Sequence, residues 1–387
     1  MAKGYESQII IYENDGWSGS QITLTDSYSP VLFSDELDAG LVTNERTSTV
    51  RNTRAHLESS FVNDDEYKPE GALGINPKLD TLPPVFRSHF QVVDYTETGS
   101  SFIHTFVPAK TPPLFSEGTL YGTGAYGVSV ADVYCLDIKR KTLDSIGSSP
   151  NIQKFNRGIC DELTIKDSAG EDVTIKADFK FKDFETLTTT ASFGDSELKG
   201  YTDGGFCDWS HGTWSFSTPG GTNILDVIDD ISEMQIVCSN NLVEKKSPGS
   251  NKRNSFSFGN YTVKGQFTTE YKYDEWYANQ SEPFSIAGTI WRSNVDYMTV
   301  SIPRCFLKPF NKKLNNADSF IDAEVGFEAY EYDGTAPISV TLHVEERFRT
   351  TFWDAGFGAR TLSEYDFADA GSTTRILADY NKADRDY

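Results

Sequence analysis

The chain has 387 residues and a formal charge of −22, from 57 acidic and 35 basic residues. Its length predicts one large domain with extensions or two domains, and its 13% aromatic content favours strands over helices. The acidity argues against tight nucleic-acid binding, which depends on Lys and Arg, although an acidic wall would repel a passing duplex. Solubility or a saline habitat explains the acidity equally well.

The first half of the chain predicts an N-terminal region, a short helix and a hairpin. Residues 1–30 read as an arm or as first strands, and Thr81–Phe90 predicts a short helix with proline in its first turn. Leu163–Lys166, a turn at 167–170 and Val173–Lys182 predict a hairpin. The second arm alternates, with one apolar face formed by Val173, Ile175, Ala177, Phe179 and Phe181.

The middle of the chain mixes loops with strand patterns. Residues 194–221 and 244–260 read as long insertion loops, because glycine and polar residues dominate them. Asn223–Ser232 has aliphatic residues at helical spacing, and its aliphatic content leaves a strand open as the alternative. Tyr261–Tyr273 alternates over an unusual length, which suits a strand crossing a large barrel or one bent by a bulge at Gly265.

The clearest hairpin pattern lies near the C-terminus. Residues 321–330 and 338–345 both alternate, and a Tyr332–Pro337 turn joins them. The polar side of the first arm carries three carboxylates, Asp322, Glu324 and Glu328. Residues 31–349 are therefore predicted to form one β-domain. The Gly-, Asp- and Ala-rich residues 350–387 form a C-terminal arm that orders on a neighbour.

No motif for catalysis, phosphate binding or metal binding emerges, so we expect neither enzymatic activity nor a cofactor. The five cysteines include no CxxC pair, and Cys207 with His211 falls short of a metal set, so buried free thiols are expected. The carboxylates of 322–328 leave a glycosidase as a remote alternative. The residues Trp209, Trp214, Trp276 and Trp291 leave a sugar-binding surface open as another.

The order of several segments resembles the tail tube proteins of long-tailed, siphovirus-like phages and related tailed viruses. The likeness spans roughly residues 100–345, and no single motif carries it. The segments are Phe102-Ile-His-Thr-Phe-Val-Pro108 followed by 126–139, Gly158–Lys166 with 173–182, Asp230-Ile-Ser-Glu-Met-Gln-Ile-Val-Cys-Ser-Asn-Asn-Leu242, and finally 284–294, Met298–Pro303 and 320–332. Residues before about 100, 194–221 and those after 349 have no counterpart.

This resemblance implies a mainly β, sandwich- or barrel-type subunit with one or two short helices. Its strands would join those of neighbours into a ring-shaped barrel, usually a hexamer, and stacked rings would form a tube. The implied partners are further copies of the chain, a tape-measure protein, the tail terminator and the baseplate or distal tail proteins. DNA would pass through the lumen without specific binding, no membrane would be involved, and the location would be the virion after synthesis in a host cytoplasm.

The acidic residues then acquire a candidate role. Our hypothesis is that Asp322, Glu324 and Glu328 face the lumen and repel the DNA backbone. The alternative from another class is a soluble β-sandwich adhesin or carbohydrate-binding module that uses its Trp-rich loops.

Overall fold

The computed structural model describes about half of the protein, and every structural statement below concerns that part. The described residues are 7–14, 32–42, 66–98, 101–110, 112–113, 133–142, 151–187, 207, 210, 212–217, 223–225, 231–245, 253–270, 282–293, 296–308 and 322–344. Most of the predicted N-terminal arm (residues 1–30) and the whole C-terminal arm (350–387) lie outside these ranges, as do residues 126–132 of the resemblance.

The described chain is mainly β, as predicted. Seventeen strands form one continuous antiparallel sheet, and β3–β4 and β15–β16 form two small ladders. The strands are β1 Ser7–Asn14, β2 Leu32–Asp35, β3 Leu41–Val42, β4 Glu66–Tyr67, β5 Glu70–Ile75, β6 Gln91–Thr98, β7 Ser101–Pro108, β8 Cys135–Thr142, β9 Asn151–Ser168, β10 Thr174–Lys180, β11 Asp183–Leu187, β12 Gly212–Ser217, β13 Asn223–Leu225, β14 Ile231–Ser239, β15 Val243–Lys245, β16 Ser255–Ser257, β17 Thr262–Glu270, β18 Phe284–Trp291, β19 Tyr297–Leu307, β20 Asp322–Ala329 and β21 Ser339–Val344.

The predicted short helix is confirmed as α1, Pro83–Phe90, which follows a single 3-10 turn at Leu79–Thr81. Pro83 and Pro84 occupy its first turn, where a missing N–H leaves no intrahelical bond unmade. Gln91 ends it with a left-handed backbone (φ 65°) and donates its N–H to Arg87 O. All eight residues are buried, so α1 lies inside the fold against β6, β7 and β9.

The predicted hairpin of β9 and β10 is also confirmed, and β9 is much longer than its sequence pattern indicates. Its second half pairs with β10 and β14, whereas its first half pairs with β8 and β11. The change of partners falls near Gly158, where an added Cβ would lie 2.4 Å from the Phe181 ring. One 18-residue strand therefore joins two parts of the sheet.

The predicted C-terminal hairpin is wrong, because β20 and β21 do not pair with each other. Both run antiparallel to β19: Ala329 lies opposite Cys305, and Ser339 lies opposite Ser301. The two strands therefore follow each other in the same direction along one edge of β19, and 330–338 form an excursion between them. Alternation specified both strands, but their partners, β17 and β7, are distant in sequence.

Two further predictions need correction, and the structure bears on a third. Residues 212–217 of the predicted 194–221 loop form β12, which pairs with β18, and the 244–260 stretch begins and ends in the β15–β16 ladder. In the region 223–232, the described residues are strand, 223–225 as β13 and 231–232 as the start of β14, which agrees with the alternative reading, and 226–230 lie outside the described residues. The register irregularity between β14 and β17 lies at Ile231–Glu233 and not at Gly265.

The sheet folds back over its own apolar face. The Phe216 ring of β12 lies 4.8 Å from the Phe267 ring of β17, although three strands separate them in the sheet. The Trp214 indole donates to Asp167 Oδ2 at 2.8 Å, which joins β12 to the end of β9. One large buried cluster fills the space between these layers. Within the described residues the sheet is not closed into a barrel.

Candidate functional site

Two of the three predicted acidic residues, Glu324 and Glu328, lie on a wide, solvent-facing side of the sheet. Along β20, Val325 and Phe327 are buried, whereas Glu324 and Glu328 are half-buried on the opposite side. Asp322 begins the strand, where its backbone lies opposite Glu270. We call the outward side of β2, β5, β10, β9, β14, β17, β20 and β19 the polar face.

Neighbouring strands bring cations beside these carboxylates. Glu328 lies opposite Lys264 of β17, and its carboxylate is 3.4 Å from Lys308 Nζ. One row further along, the Gln266 amide donates to the Gln235 side-chain oxygen at 3.3 Å. The polar face around Glu328 is therefore mixed in charge, which the sequence of β20 alone does not reveal.

Two carboxylates of the polar face lie directly opposite each other elsewhere, on Glu162 of β9 and Asp178 of β10. These residues are directly opposed in the antiparallel register, where like charges destabilise the pair. Partial burial raises the pKa of both side chains; Asp178 and Asp161 add to this effect at Glu162, and Glu36 and Asp161 add to it at Asp178, although Lys176 opposes it at both. The predicted hairpin contains Asp178 but begins one residue after Glu162, so its register, extended by one residue, was the signal that would have found this pair.

A cleft of about 670 Å³ opens at one end of the sheet, next to the polar face. It lies between the end of α1, the end of β7, the residues before β17 and the excursion after β20. Its walls are aromatic and proline-rich, including Phe90, Phe258 and Tyr261. At its rim, Lys110 Nζ lies 3.3 Å from a Glu331 carboxylate oxygen. Among the described side chains, neither Glu324 nor Glu328 lines this cleft.

A buried polar network lies beneath the cleft. His89 Nδ1 is 3.3 Å from Cys160 O, and His89 Nε2 is 3.1 Å from the Tyr261 hydroxyl. Because a carbonyl only accepts, Nδ1 carries the proton and Nε2 accepts from Tyr261. Asn240 donates to both His89 O and Cys160 O, at 2.8 and 3.0 Å. Tyr261 is also hydrogen-bonded to Cys238.

This network holds its members in neutral forms. Burial lowers the pKa of His89 to about 3, raises that of Cys238 to about 12, and raises those of Cys160 and Tyr261 well above their usual values. A nucleophilic cysteine needs a lowered pKa and access to substrate. Cys160 and Cys238 are buried and have raised pKa values, so neither has the environment of a nucleophile. The hydrogen bonds of the network join α1 to β9 and to the residue after β14.

The described residues bear only in part on the alternatives considered from sequence. Carboxylates two residues apart, Asp322 and Glu324, stay a predicted glycosidase pair, because the Asp322 side chain lies outside what the structure describes. Glu324 and Glu328 are four residues apart on one strand, about 13 Å, which exceeds the spacing of either class of glycosidase pair. Trp214 is buried and bonded to Asp167, so it is not part of an exposed sugar-stacking surface. Trp209, Trp276 and His211 lie outside the described residues. No group of three or more potential metal ligands occurs among the residues described.

No protein-family model matches the chain, and no curated protein matches it significantly. In the part of the chain that the structure describes, no helix has the length and apolarity to cross a membrane.

Proposed function

We propose that this protein is a structural virion protein, the major tube subunit of a viral tail, and that stacked rings of it form a conduit for DNA. The observation that carries the proposal is the polar face. Six of its eight neighbouring strands bury alternate side chains in one core and present the others to solvent: β10, the second half of β9, β14, β17, β20 and β19. Such a one-sided sheet suits the wall of a water-filled tube, whose lining must be wet while its other side packs.

The segments of the resemblance support the proposal through their common location. Those at 102–108, 158–166, 173–182 and 230–242 coincide with β7, the second half of β9, β10 and β14. The later segments coincide with β18, β19 and β20. All of these strands belong to the one continuous sheet, and none is an isolated hairpin.

Open strand edges supply a second argument. Among the described residues, β2 pairs only with β5, and β6 pairs only with β7. Unpaired edges of a sheet invite further strands, and a closed ring of subunits would remove them. Hexameric rings, stacking, and contacts with tape-measure, terminator and baseplate or distal tail proteins belong to this proposal, as does a location in the virion.

Electron microscopy of the purified full-length protein tests the proposal. We expect rings or tubes of uniform diameter that lengthen as protein concentration rises, because stacked heterologous contacts do not close. A protein that stays monomeric at all concentrations and binds a glycan array would overturn the proposal. That result would favour the adhesin or carbohydrate-binding module, for which the aromatic cleft would be the first place to look.

The position of the acidic residues within a tube is part of the same proposal. We expect Glu324 and Glu328, with Asp322 at the start of their strand, to face the lumen. A structure of the assembled tube that has these side chains on its outer wall would refute the assignment, and a neutral or basic lumen would refute an acidic lining altogether.

A further inference from the structure

Exposed aromatic rings are concentrated at two sites on the polar face. Among the described residues, only four large hydrophobic side chains are exposed: Phe33, Val243, Tyr330 and Tyr332. Phe33 stands alone on β2. Tyr330 and Tyr332 belong to a group with Phe306 and Arg304, which we call the aromatic patch. Exposed aromatic residues of this kind mark protein contacts more often than isolated aliphatic ones do.

Phe33 protrudes because β2 is irregular at this point. Leu32 pairs with Ile75 and Ser34 with Gly74, so Phe33 is the extra residue of a bulge. Its side chain is 53% exposed, and its ring covers Gly74, where an added Cβ would lie 2.5 Å away. A bulge on an edge strand aims a side chain away from the ladder. The β2–β5 ladder therefore holds the Phe33 side chain at the surface of the sheet.

The aromatic patch is a preformed surface. The Arg304 guanidinium lies 3.9 Å from the centre of the Tyr332 ring, and the Phe306 and Tyr330 rings meet edge to face at 6.0 Å. These stacking contacts hold the rings in place while Tyr330 and Tyr332 remain 48% and 55% exposed. Rings fixed before binding lose little conformational entropy when a partner covers them.

Phe33 and the aromatic patch lie at the same level of the sheet, at opposite ends of one row. Successive register partners connect the two sites without a gap: Ser34, Gly74, Lys176, Thr164, Val237, Lys264, Glu328 and Phe306. The row crosses eight strands, about 34 Å at the usual strand spacing. In a ring, rotation about the axis brings one side of each subunit against the opposite side of the next subunit at the same height. Phe33 and the aromatic patch, at opposite ends of one row, have this relation.

Each of the two sites carries charges of both signs. Beside Phe33, Glu36 and Asp38 are exposed, and Lys176 Nζ lies 3.2 Å from a Glu36 carboxylate oxygen. At the aromatic patch, the exposed Glu331 and Asp333 flank Tyr332, and Arg304 and the exposed Lys308 supply positive charge, so cations of either site can meet carboxylates of the other. Opposite charges across a contact favour the correct docking of two surfaces.

From these observations we propose that Phe33 of one copy packs on the aromatic patch of the next copy, so that a second copy of this chain occupies the patch. The proposal rests on the proposed ring-forming function and adds the residues of the lateral contact. The contact is heterologous, since different surfaces meet, and it repeats around a ring.

Site-directed cross-linking tests the contact. All five native cysteines are buried, so cysteines introduced at the surface are the reactive ones. We expect the double variant Phe33→Cys/Tyr332→Cys, treated with a short bismaleimide, to give a ladder of covalent multimers on denaturing gels. An equal mixture of the two single variants gives dimers only. The matched control, Phe33→Cys/Val243→Cys, gives no ladder, because Val243 is exposed on β15 and away from the patch.

Each other outcome overturns the contact. Dimers from Phe33→Cys alone mean that two copies of the same surface meet. Rings or tubes of the double variant that give no ladder refute the contact while the tube function stands. A protein that neither assembles nor cross-links at any concentration refutes both.

A truncation gives an independent readout. We expect Phe33→Ala to raise the protein concentration needed for assembly roughly thirtyfold, the effect of losing an aromatic hot-spot residue. Phe33 is largely exposed, so the thermal unfolding midpoint of the monomer stays near the parent value. Val243→Ala, the matched control, leaves the assembly concentration unchanged. An unchanged assembly concentration for Phe33→Ala contradicts the contact.

Discussion

Acidification should destabilise this protein through two buried histidines, His89 of α1 and His104 of β7. His89 is fully buried, and His104 is 2% exposed. Burial lowers the pKa of both side chains from 6.5 to about 3, and the positive charge of Arg87 adds to the effect at His104. Both therefore stay neutral in the folded protein at pH values where they are protonated in the unfolded chain.

The sign and size of the change in the free energy of unfolding follow from proton linkage. As the pH falls below 6.5, the two histidines bind protons in the unfolded chain, but in the folded protein they do so only near pH 3. The free energy of unfolding therefore decreases through this pH range. At pH 5 the loss is about 2 kcal/mol for each histidine relative to pH 7.5. This value depends mainly on the pKa of the unfolded state, because at pH 5 the folded protein holds almost no proton at either site.

Urea unfolding at pH 7.5 and pH 5 measures the effect on the unassembled protein. We expect His89→Asn and His104→Asn each to lower stability at pH 7.5 but to reduce the loss between the two pH values by about 2 kcal/mol. Only the difference between the free energies of unfolding at the two pH values reports the proton linkage. His343, half-buried against the Tyr297 ring, provides a control, and His343→Asn should change this difference much less.

Nuclear magnetic resonance of the imidazole carbons provides the decisive comparison. The resonances of His89 and His104 should not titrate between pH 7.5 and pH 5 in the folded protein. A midpoint near 6.5 for either ring, or a pH dependence of unfolding unchanged by both substitutions, would refute the reasoning.

Three other predictions concern the sheet and the thiols. Gly265→Ala should destabilise by about 1–3 kcal/mol in urea unfolding, because its Cβ would lie 2.2 Å from the Phe327 ring, whereas Gly326→Ala, with 3.7 Å to its nearest neighbour, should be tolerated. Equal effects would contradict the packing. Glu162→Gln should stabilise at pH 7.5 by about 0.2–1 kcal/mol by relieving repulsion with Asp178, and a loss of stability there would count against it. A thiol reagent should modify the five cysteines only after unfolding, so rapid labelling of the native protein would contradict their burial.

Local patterns in the sequence predicted the elements whose structure is decided locally. The alternation at 173–182 predicted β10 because one face of that strand is buried and the other is wet. The two prolines of Thr81–Phe90 placed the start of α1 correctly to within two residues. In both segments the sequence and the local backbone agree, so no distant contact was needed to specify them.

The errors occur where distant strands decide the outcome. The segments 321–330 and 338–345 both alternate and are separated by turn residues, which is the pattern of a hairpin. The first segment instead pairs with β17 and β19, and the second pairs with β19 and β7. The predicted turn is therefore an excursion between two collinear strands. Residues 212–217 became a strand for a related reason, since Trp214 finds its partner on β9 and the backbone pairs with β18.

The candidate acidic site follows the same logic. The sequence of β20 predicts a strip of carboxylates, but a sheet face is built from rows that cross strands, and each row mixes residues from distant segments. Beside Glu328, Lys264 of β17 and Lys308, the residue after β19, offset the negative charge, whereas Glu162 and Asp178 are two carboxylates in register. If the polar face lines a tube, Glu162 and Asp178 are carboxylates that passing DNA would meet although the sequence of β20 does not predict them. The charge of such a lining therefore depends on which residues the strand pairing places side by side, and the sequence of a single strand does not reveal this.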